Sequence, residues 1–450
     1  MDASNPVITG ERTTVGEFMN ESIMLKRQDY KVLDGLVKDG RRVFVPECDS
    51  EEFEVPQGLV KKVLVSGVVK GGEGQIEPDI EVKLEKILVS KFHPIGVCQM
   101  GANVGVARKF PQRKRIERAV YSLLLYNQEA FQHIERLTFS GGTKAGFLKR
   151  LNLWANRKPK LMSPVLKQWG FNGLDILRER MPVARELVDW KKGISELLDG
   201  VTVNKTSGAG PPFFQPKHKC FDDVMAALKE LVDAISNGTF EQFISKNPEL
   251  MMSECKNKMD RYEINNIMEK TRPYWSFSTP ASLLISILCQ SFSSSIYTFD
   301  EGKGSNAYGF SYAHGGAKKL WDWMTSTKEG ETKFIVYGDD TKMVWRKNGT
   351  LYEVNPDFVQ MDGSVDRDTV DLTVDYVIKC FEKQHGNSEF FKFVGEMWKK
   401  LALGSSFFLD GTKAYSNKTG LLTGVVGTTL FDTVKSMLAY HLFIHQRNDP

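Results

Sequence analysis

Apolar residues along the chain follow two rhythms, and the switches between them mark out its elements. Leu59 to Val69 and Ile80 to Ser90 run or alternate at the two-residue period of a strand, which predicts a small sheet. The first twenty or so residues carry no such period and read as a mobile tail. From Arg108 to Leu137 the spacing lengthens, with Ala119, Leu123, Leu124 and Phe131 recurring at helical intervals behind a basic cluster. That predicts an amphipathic helix with a solvated basic entrance. Residues 139–205 keep the helical rhythm and add basic segments at Lys144 to Arg157 and Arg178 to Lys192.

Downstream, Thr206 to Pro212 is a helix-excluding loop of glycine and proline. Ala281 to Cys289 is the most apolar stretch, too short to cross a bilayer before it runs into serines. Lys333 to Tyr337 and Lys342 to Trp345 are strand formers on either side of a tight turn, and Phe358 to Met361 reads as the end of a further strand. Finally, a glycine-flexed loop at Leu421 to Gly427 leads into a helix whose apolar positions are Leu430, Val434, Met437 and Leu438. Strands and helices are thus mixed along the chain, an α/β (α+β) class. We divide it into an N-terminal tail and extension (1–60), a region with loop and cation segments (61–275), a helical region (276–330) and a carboxylate-bearing unit (331–450).

Composition narrows the function classes. At 450 residues and 41% hydrophobic the chain can bury a large core. A net charge of only +4 means that any nucleic-acid track must be local. Cys48, Cys98, Cys220, Cys255, Cys289 and Cys380 lie too far apart for a zinc or redox motif, which points to a reducing compartment. The N-terminus has no apolar signal region, so the Asn-Lys-Thr triplets at Asn204 and Asn417 carry no glycosylation meaning. Gly141 to Lys144 lacks the glycine spacing of a Walker A loop, which removes the main support for a helicase.

The chemistry concentrates in four segments. Gly338-Asp339-Asp340 sits in the hairpin turn, where paired carboxylates can hold divalent ions. By average composition the triplet arises by chance in roughly one chain in ten of this length, so its apolar flanking strands matter. Lys256, Lys258, Arg261, Lys270 and Arg272 gather cations that could neutralise triphosphate, with a solvated charged helix as the plain alternative. Asp362 ends the Phe358 to Met361 run and is followed by Asp366, Asp368 and Asp371, where crowding of carboxylates calls for a cation. Thr423 and Thr428 place hydroxyls at the start of the last helix, a setting for ribose or phosphate that capping alone also explains.

Together these segments resemble the motifs of positive-strand RNA virus polymerases. Thr206, Ser207 and Gly208 with Ala209 to Pro211 resemble motif G, which guides template; Lys258 to Arg272 resembles motif F; Gly338-Asp339-Asp340 resembles motif C; and Thr423-Gly424 through Asp432 is similar to motif B. Both the A-like and B-like segments follow the Gly-Asp-Asp turn, and the order G, F, C, A, B resembles the permuted palm of permutotetraviruses and birnaviruses. The Gly-Asp-Asp triplet favours the former.

The resemblance implies a right-hand polymerase with fingers and a permuted palm but a missing thumb, since the chain stops at Pro450. Asp339, Asp340 and Asp362 are then the catalytic metal carboxylates for Mg2+ or Mn2+. Lys258, Arg261, Lys270, Arg272, Asp366, Thr428 and Asp432 would bind nucleotide, and Thr206, Ser207, Gly208, Thr423 and Gly424 the template. The family's motif A carries a second aspartate five positions after its first, which falls on Arg367, and motif B ends in asparagine where this chain has Asp432. Arg367 and Asp432 would pair as a swapped ribose contact, or a one-residue register change would use Asp366. Ser66 is a candidate for self-nucleotidylation. The implied partners are template RNA, nascent RNA and nucleoside triphosphates in the host-cell cytoplasm, with no transmembrane segment. A homo-oligomer is compatible with the sequence. The alternatives are an inactive RNA-binding or assembly fragment and a reverse transcriptase.

Overall fold

The computed structural model describes residues 12–14, 52–54, 93–97, 112–113, 115–117, 127–135, 137–140, 146–147, 149–151, 160–258, 260–263, 270–301, 304–408, 413–416 and 420–448. The strands expected at Leu59 to Val69 and Ile80 to Ser90, and Ser66 with them, lie outside the described residues.

Nine elements position the site. In chain order they are β1 (Met252–Asn257), β2 (Pro273–Phe277), α1 (Thr279–Ser295), β3 (Thr332–Tyr337), β4 (Asp340–Lys347), β5 (Thr350–Val354), α2 (Arg367–His385), α3 (Glu389–Ala402) and α4 (Thr428–Asn448). β1 and β2 pair antiparallel with Asn257 opposite Pro273. They belong to a five-stranded sheet in the order β2, β1, Ser406–Phe408, Lys413–Ser416, His93–Val97, mixed because β1 runs parallel to Ser406–Phe408. β3, β4 and β5 form a separate antiparallel sheet in chain order. The mixture of helices and both sheet types is the α+β class expected.

The main core among the described residues runs from Phe147 to Ile444 and takes in α1. The apolar stretch of the sequence is therefore a buried helix: Leu283, Leu284, Ile285, Ile287 and Leu288 are all enclosed, and α2 and α3 pack against it. No helix among the described residues is long and apolar enough to cross a membrane. α2 starts where Asp366 accepts the Thr369 N–H at 2.9 Å, and α3 where Ser388 accepts that of Phe391. α4 buries Leu430, Val434, Met437 and Leu438, the four positions its pattern marked.

Two expectations are corrected. The basic run after Arg108 forms strands at Gln112–Arg113 and Arg115–Glu117, and among the described residues the helix that follows is Gln128–Glu135. Alternating charged residues with Ile116 between them suit strand pairing with Glu52–Glu54. Within the supposed tail, Arg12–Thr14 pairs with Thr202–Asn204, whose edge gives β-branched Thr13 and Thr14 a partner. The cation segment from Lys256 to Arg272, for which a charged helix was the plain alternative, opens with strands at Met252–Asn257 and Asp260–Glu263, while Lys270 is helical.

Candidate functional site

The β3–β4 hairpin closes through a two-residue loop, with Tyr337 opposite Asp340. Gly338 has φ of 64°, the positive value that primed hairpin turns require of their first loop residue. α4 grips the loop from behind: the Gly338 N–H donates to Thr433 Oγ1 at 2.8 Å, and the Ser436 hydroxyl donates to the Gly338 carbonyl at 2.9 Å. Asp339 is thereby held at the tip while Asp340 begins β4, both exposed.

Two further carboxylates arrive from the stretch after β5. Pro356 has no N–H for a ladder, so β5 stops at Val354 and Asp357 follows in irregular chain. Gln360 then takes φ of 58° and the chain turns into a short helix, Met361–Ser364. Asp362 therefore sits in a helical turn rather than at a strand end. Its carbonyl accepts the Leu421 N–H at 2.8 Å, and its carboxylate accepts the Thr423 hydroxyl.

Proton affinities show how these groups share space. Burial raises Asp362 above the usual carboxylate range, Asp339 adds to the rise, and the Thr423 bond with the fields of Arg150 and Arg272 opposes it. Asp432, on the second turn of α4, is 8% exposed and its Oδ1 has no hydrogen-bond partner among the described residues. Burial, then Asp362 and Asp339, push it well above the ordinary range. Asp340 is raised by burial and then by Asp339 and Asp357. Asp339 thus belongs to two neighbourhoods, one with Asp340 and Asp357, the other with Asp362 and Asp432.

A cavity of about 320 Å³ opens between these carboxylates and a wall of cations. Asp339, Asp357 and Asp362 line it with Arg150, Lys258 and Arg272, and Tyr274, Trp275, Phe358 and Thr423 fill in the surface. Lys258 and Arg272 face it because they close the β1–β2 pair, the Lys258 N–H donating to the Arg272 carbonyl at 2.8 Å. Gly424 brings the Thr423 loop close to β2: its φ is 114°, and a Cβ there would lie 2.1 Å from the Trp275 carbonyl oxygen. The Trp275 N–H donates to the Thr423 carbonyl at 2.7 Å. Trp398 of α3 steadies the same loop, its indole donating to the Val426 carbonyl at 2.7 Å.

Residues 146–449 match the family described as the permutotetravirus RNA-dependent RNA polymerase palm domain. The chain belongs to that family. Among curated proteins, no sequence matches it beyond chance. Two solved structures share the permuted-palm fold at low identity. One is the X-ray structure of the birnavirus VP1-VP3 complex, at 17% identity and a TM-score of 0.59, covering 73% of this chain and 48% of that one. The other is the RNA polymerase VP1 of Infectious Pancreatic Necrosis Virus, at 16% identity, a TM-score of 0.57 and the same coverage. The chain therefore spans about half the length of the solved structures it matches.

Within this permuted palm, the structure gathers Asp339, Asp362, Lys258, Arg272 and Thr423 at one cavity. Asp340 and Asp432 adjoin it through the carboxylates just described. Thr428 accepts the Gly424 N–H at 3.0 Å and donates to the Val425 carbonyl, acting inside its own loop. Lys270 is exposed away from the cavity lining, and Arg261 lies in the Asp260–Glu263 strand. Lys256 is committed to Glu254 at 2.8 Å. Thr206, Ser207 and Gly208 also stand apart from the lining, in a loop pinned by Lys217, which donates to Ser207 Oγ at 2.7 Å and to the Gly208 carbonyl at 2.9 Å.

The swapped ribose pair is not formed. Arg367 donates to the carbonyls of Lys399 and Leu403 at 3.0 and 2.6 Å, covering the C-terminus of α3. Asp366 caps α2 and forms a buried ion pair with Lys435. Asp357, Arg150, Thr433 and Ser436 were not singled out in the sequence. For Asp357 a signal existed: it stands five positions before Asp362, the motif A spacing, one step upstream of where that spacing was applied.

Proposed function

We propose that the cavity is the site of template-directed RNA synthesis, an RNA-directed RNA polymerase serving genome replication of a positive-strand RNA virus in the host-cell cytoplasm. The observation that carries this is the convergence of Asp339, Asp357 and Asp362 on Arg150, Lys258 and Arg272 from separate parts of the chain. Such a juxtaposition suits a nucleoside triphosphate between metal carboxylates and phosphate-binding cations.

Asp339, Asp340 and Asp357 are the set that would hold Mg2+ or Mn2+. Burial, then the neighbouring Asp339 and Asp357, keep Asp340 protonated to a higher pH than an isolated carboxyl, a cost that a divalent ion relieves. Among the described residues no three His, Cys, Asp or Glu side chains form a ready-made cage. A hard cation such as Mg2+ is usually bound by one or two carboxylates, with phosphate and water completing its shell. When bound, such ions supply charge that activates the attacking 3′ hydroxyl and stabilises the departing pyrophosphate. Lys258 and Arg272 neutralise the triphosphate. Asp362, held by Thr423 and beside Asp432, reads the ribose. Burial raises the proton affinity of Asp432, which stands where motif B has asparagine; in its protonated form it would offer a donor and an acceptor as an amide does. Thr206 to Gly208 and Gly424 guide template.

The test is incorporation of labelled GTP on poly(C) with magnesium or manganese, the intact chain against Asp339→Ala. Incorporation lost only in the variant supports the polymerase. No incorporation by either, with RNA still bound, makes the chain an RNA-binding fragment, a reading its half-length coverage of the solved structures keeps in view. Deoxynucleotides test the reverse transcriptase.

A further inference from the structure

We infer that Arg150 is a third phosphate-binding cation of the site, gripping the triphosphate of the incoming nucleotide; this rests on the polymerase reading. Arg150 precedes the loop resembling motif G by more than fifty residues and lies over a hundred from Lys258 and Arg272, so it is independent of the segment resembling motif F. Its placement is nevertheless firm. Phe147 and Leu151 are fully buried on the same short helical stretch, and Arg150 lies on the flank of that stripe, half-buried, at the cavity wall.

Among the described residues the guanidinium lacks the partners that other arginines have. Arg180, Arg185, Arg346 and Arg367 each donate to a carbonyl, hydroxyl, imidazole or carboxylate. Arg150 has no hydrogen bond or ion pair among the described residues. What it does have is the field of Asp362, on which it acts more strongly than Arg272. A half-buried fork of donors without acceptors is costly unless an anion completes it.

The cavity says which anion. Its volume of about 320 Å³ is that of a small-molecule site rather than of a strand groove. Its lining carries three cations and three carboxylates, so it is balanced by itself and takes a triphosphate only together with divalent ions. A planar fork beside Asp362 offers two parallel hydrogen bonds to phosphate oxygens there, which the point charge of Lys258 does not.

Calorimetry on the full chain tests this without turnover, titrating magnesium GTP and magnesium tripolyphosphate, with oligo(C) binding followed by anisotropy. Arg150→Gln should weaken both triphosphates by roughly ten- to a hundred-fold and leave oligo(C) affinity within about two-fold. Arg150→Lys, which keeps the charge and most of the stem, should recover part of the loss and shows that the fold survives. Triphosphate binding unchanged in Arg150→Gln, with Lys258→Gln weakened, overturns the role of Arg150 alone. Oligo(C) binding that falls in step with triphosphate assigns Arg150 to RNA and overturns it too. A wild-type chain that binds no triphosphate overturns both this inference and the polymerase reading.

Discussion

The two segments that bring carboxylates to the cavity are built by opposite means. Asp339 is carried by a regular hairpin clamped through both backbone groups of Gly338, whereas Asp357 comes from irregular chain after Pro356 and Asp362 from the single helical turn that Gln360 opens. The hairpin is specified by its own sequence and then locked by α4. The other segment has no ladder of its own and depends on side-chain and loop contacts, chiefly those of Asp362 with Leu421 and Thr423. In a permuted palm, rigidity at one wall of the site and contact dependence at the other is the division expected when only the spatial arrangement is retained.

Alanine at the carboxylates should produce the largest effect. Asp339→Ala and Asp357→Ala should each lower incorporation by roughly 10²- to 10³-fold, whereas Asp362→Asn should retain more activity and lose preference for ribonucleotides over deoxyribonucleotides. If Asp357→Ala is well tolerated and Asp362→Asn is dead, Asp362 is the metal carboxylate and the two groups must be redrawn.

Breaking the buried tie between α2 and α4 comes next. Lys435→Met strands Asp366 in the core and should cost roughly 3–5 kcal/mol in denaturant unfolding, far more than the double change Lys435→Met with Asp366→Asn. Thr433→Ala and Ser436→Ala each remove one hydrogen bond from the Gly338 turn and should cost about 1 kcal/mol, with a fall in kcat larger than that in template affinity. Equal effects on kcat and template binding would mean that the clamp is merely structural.

The smallest effect concerns the far part of α4. His441 is buried beside Phe171, accepts from Arg180 and adjoins His445, and burial, then Arg180 and His445, lower it from 6.5 to about 4. The unfolded chain takes up the proton first, so its contribution to stability is complete above pH 6.5 and is lost on acidification towards about 4. His441→Gln should therefore flatten the stability loss between neutral pH and about pH 5, by about 1–2 kcal/mol. A variant that melts with the same pH profile as wild type excludes this.

Local features were legible in the sequence. The Gly338 turn, the α4 stripe and the nearness of Lys258 to Arg272 depend on residues close together or on strong periodicity. What could not be read were contacts between distant segments, such as Thr433 with Gly338, Lys435 with Asp366 and Arg150 with the cavity. The strand expected before Asp362 was misread for a different reason. Phe358 to Met361 is apolar enough for a strand, but the left-handed backbone at Gln360 overrides that preference, and no propensity scale anticipates such a conformation at glutamine. Asp357 was the avoidable miss, because the spacing that finds it was in hand.

The clamp on Gly338 also sets a schedule. Thr433 is made 95 residues after the turn it holds, and Ser436 98 residues after it. At about 5–20 residues per second on the ribosome, the hairpin waits roughly 5–20 s for its fastening. During that interval Asp339 has its strands but no backstop, and the nascent palm can be shaped by whatever meets it first.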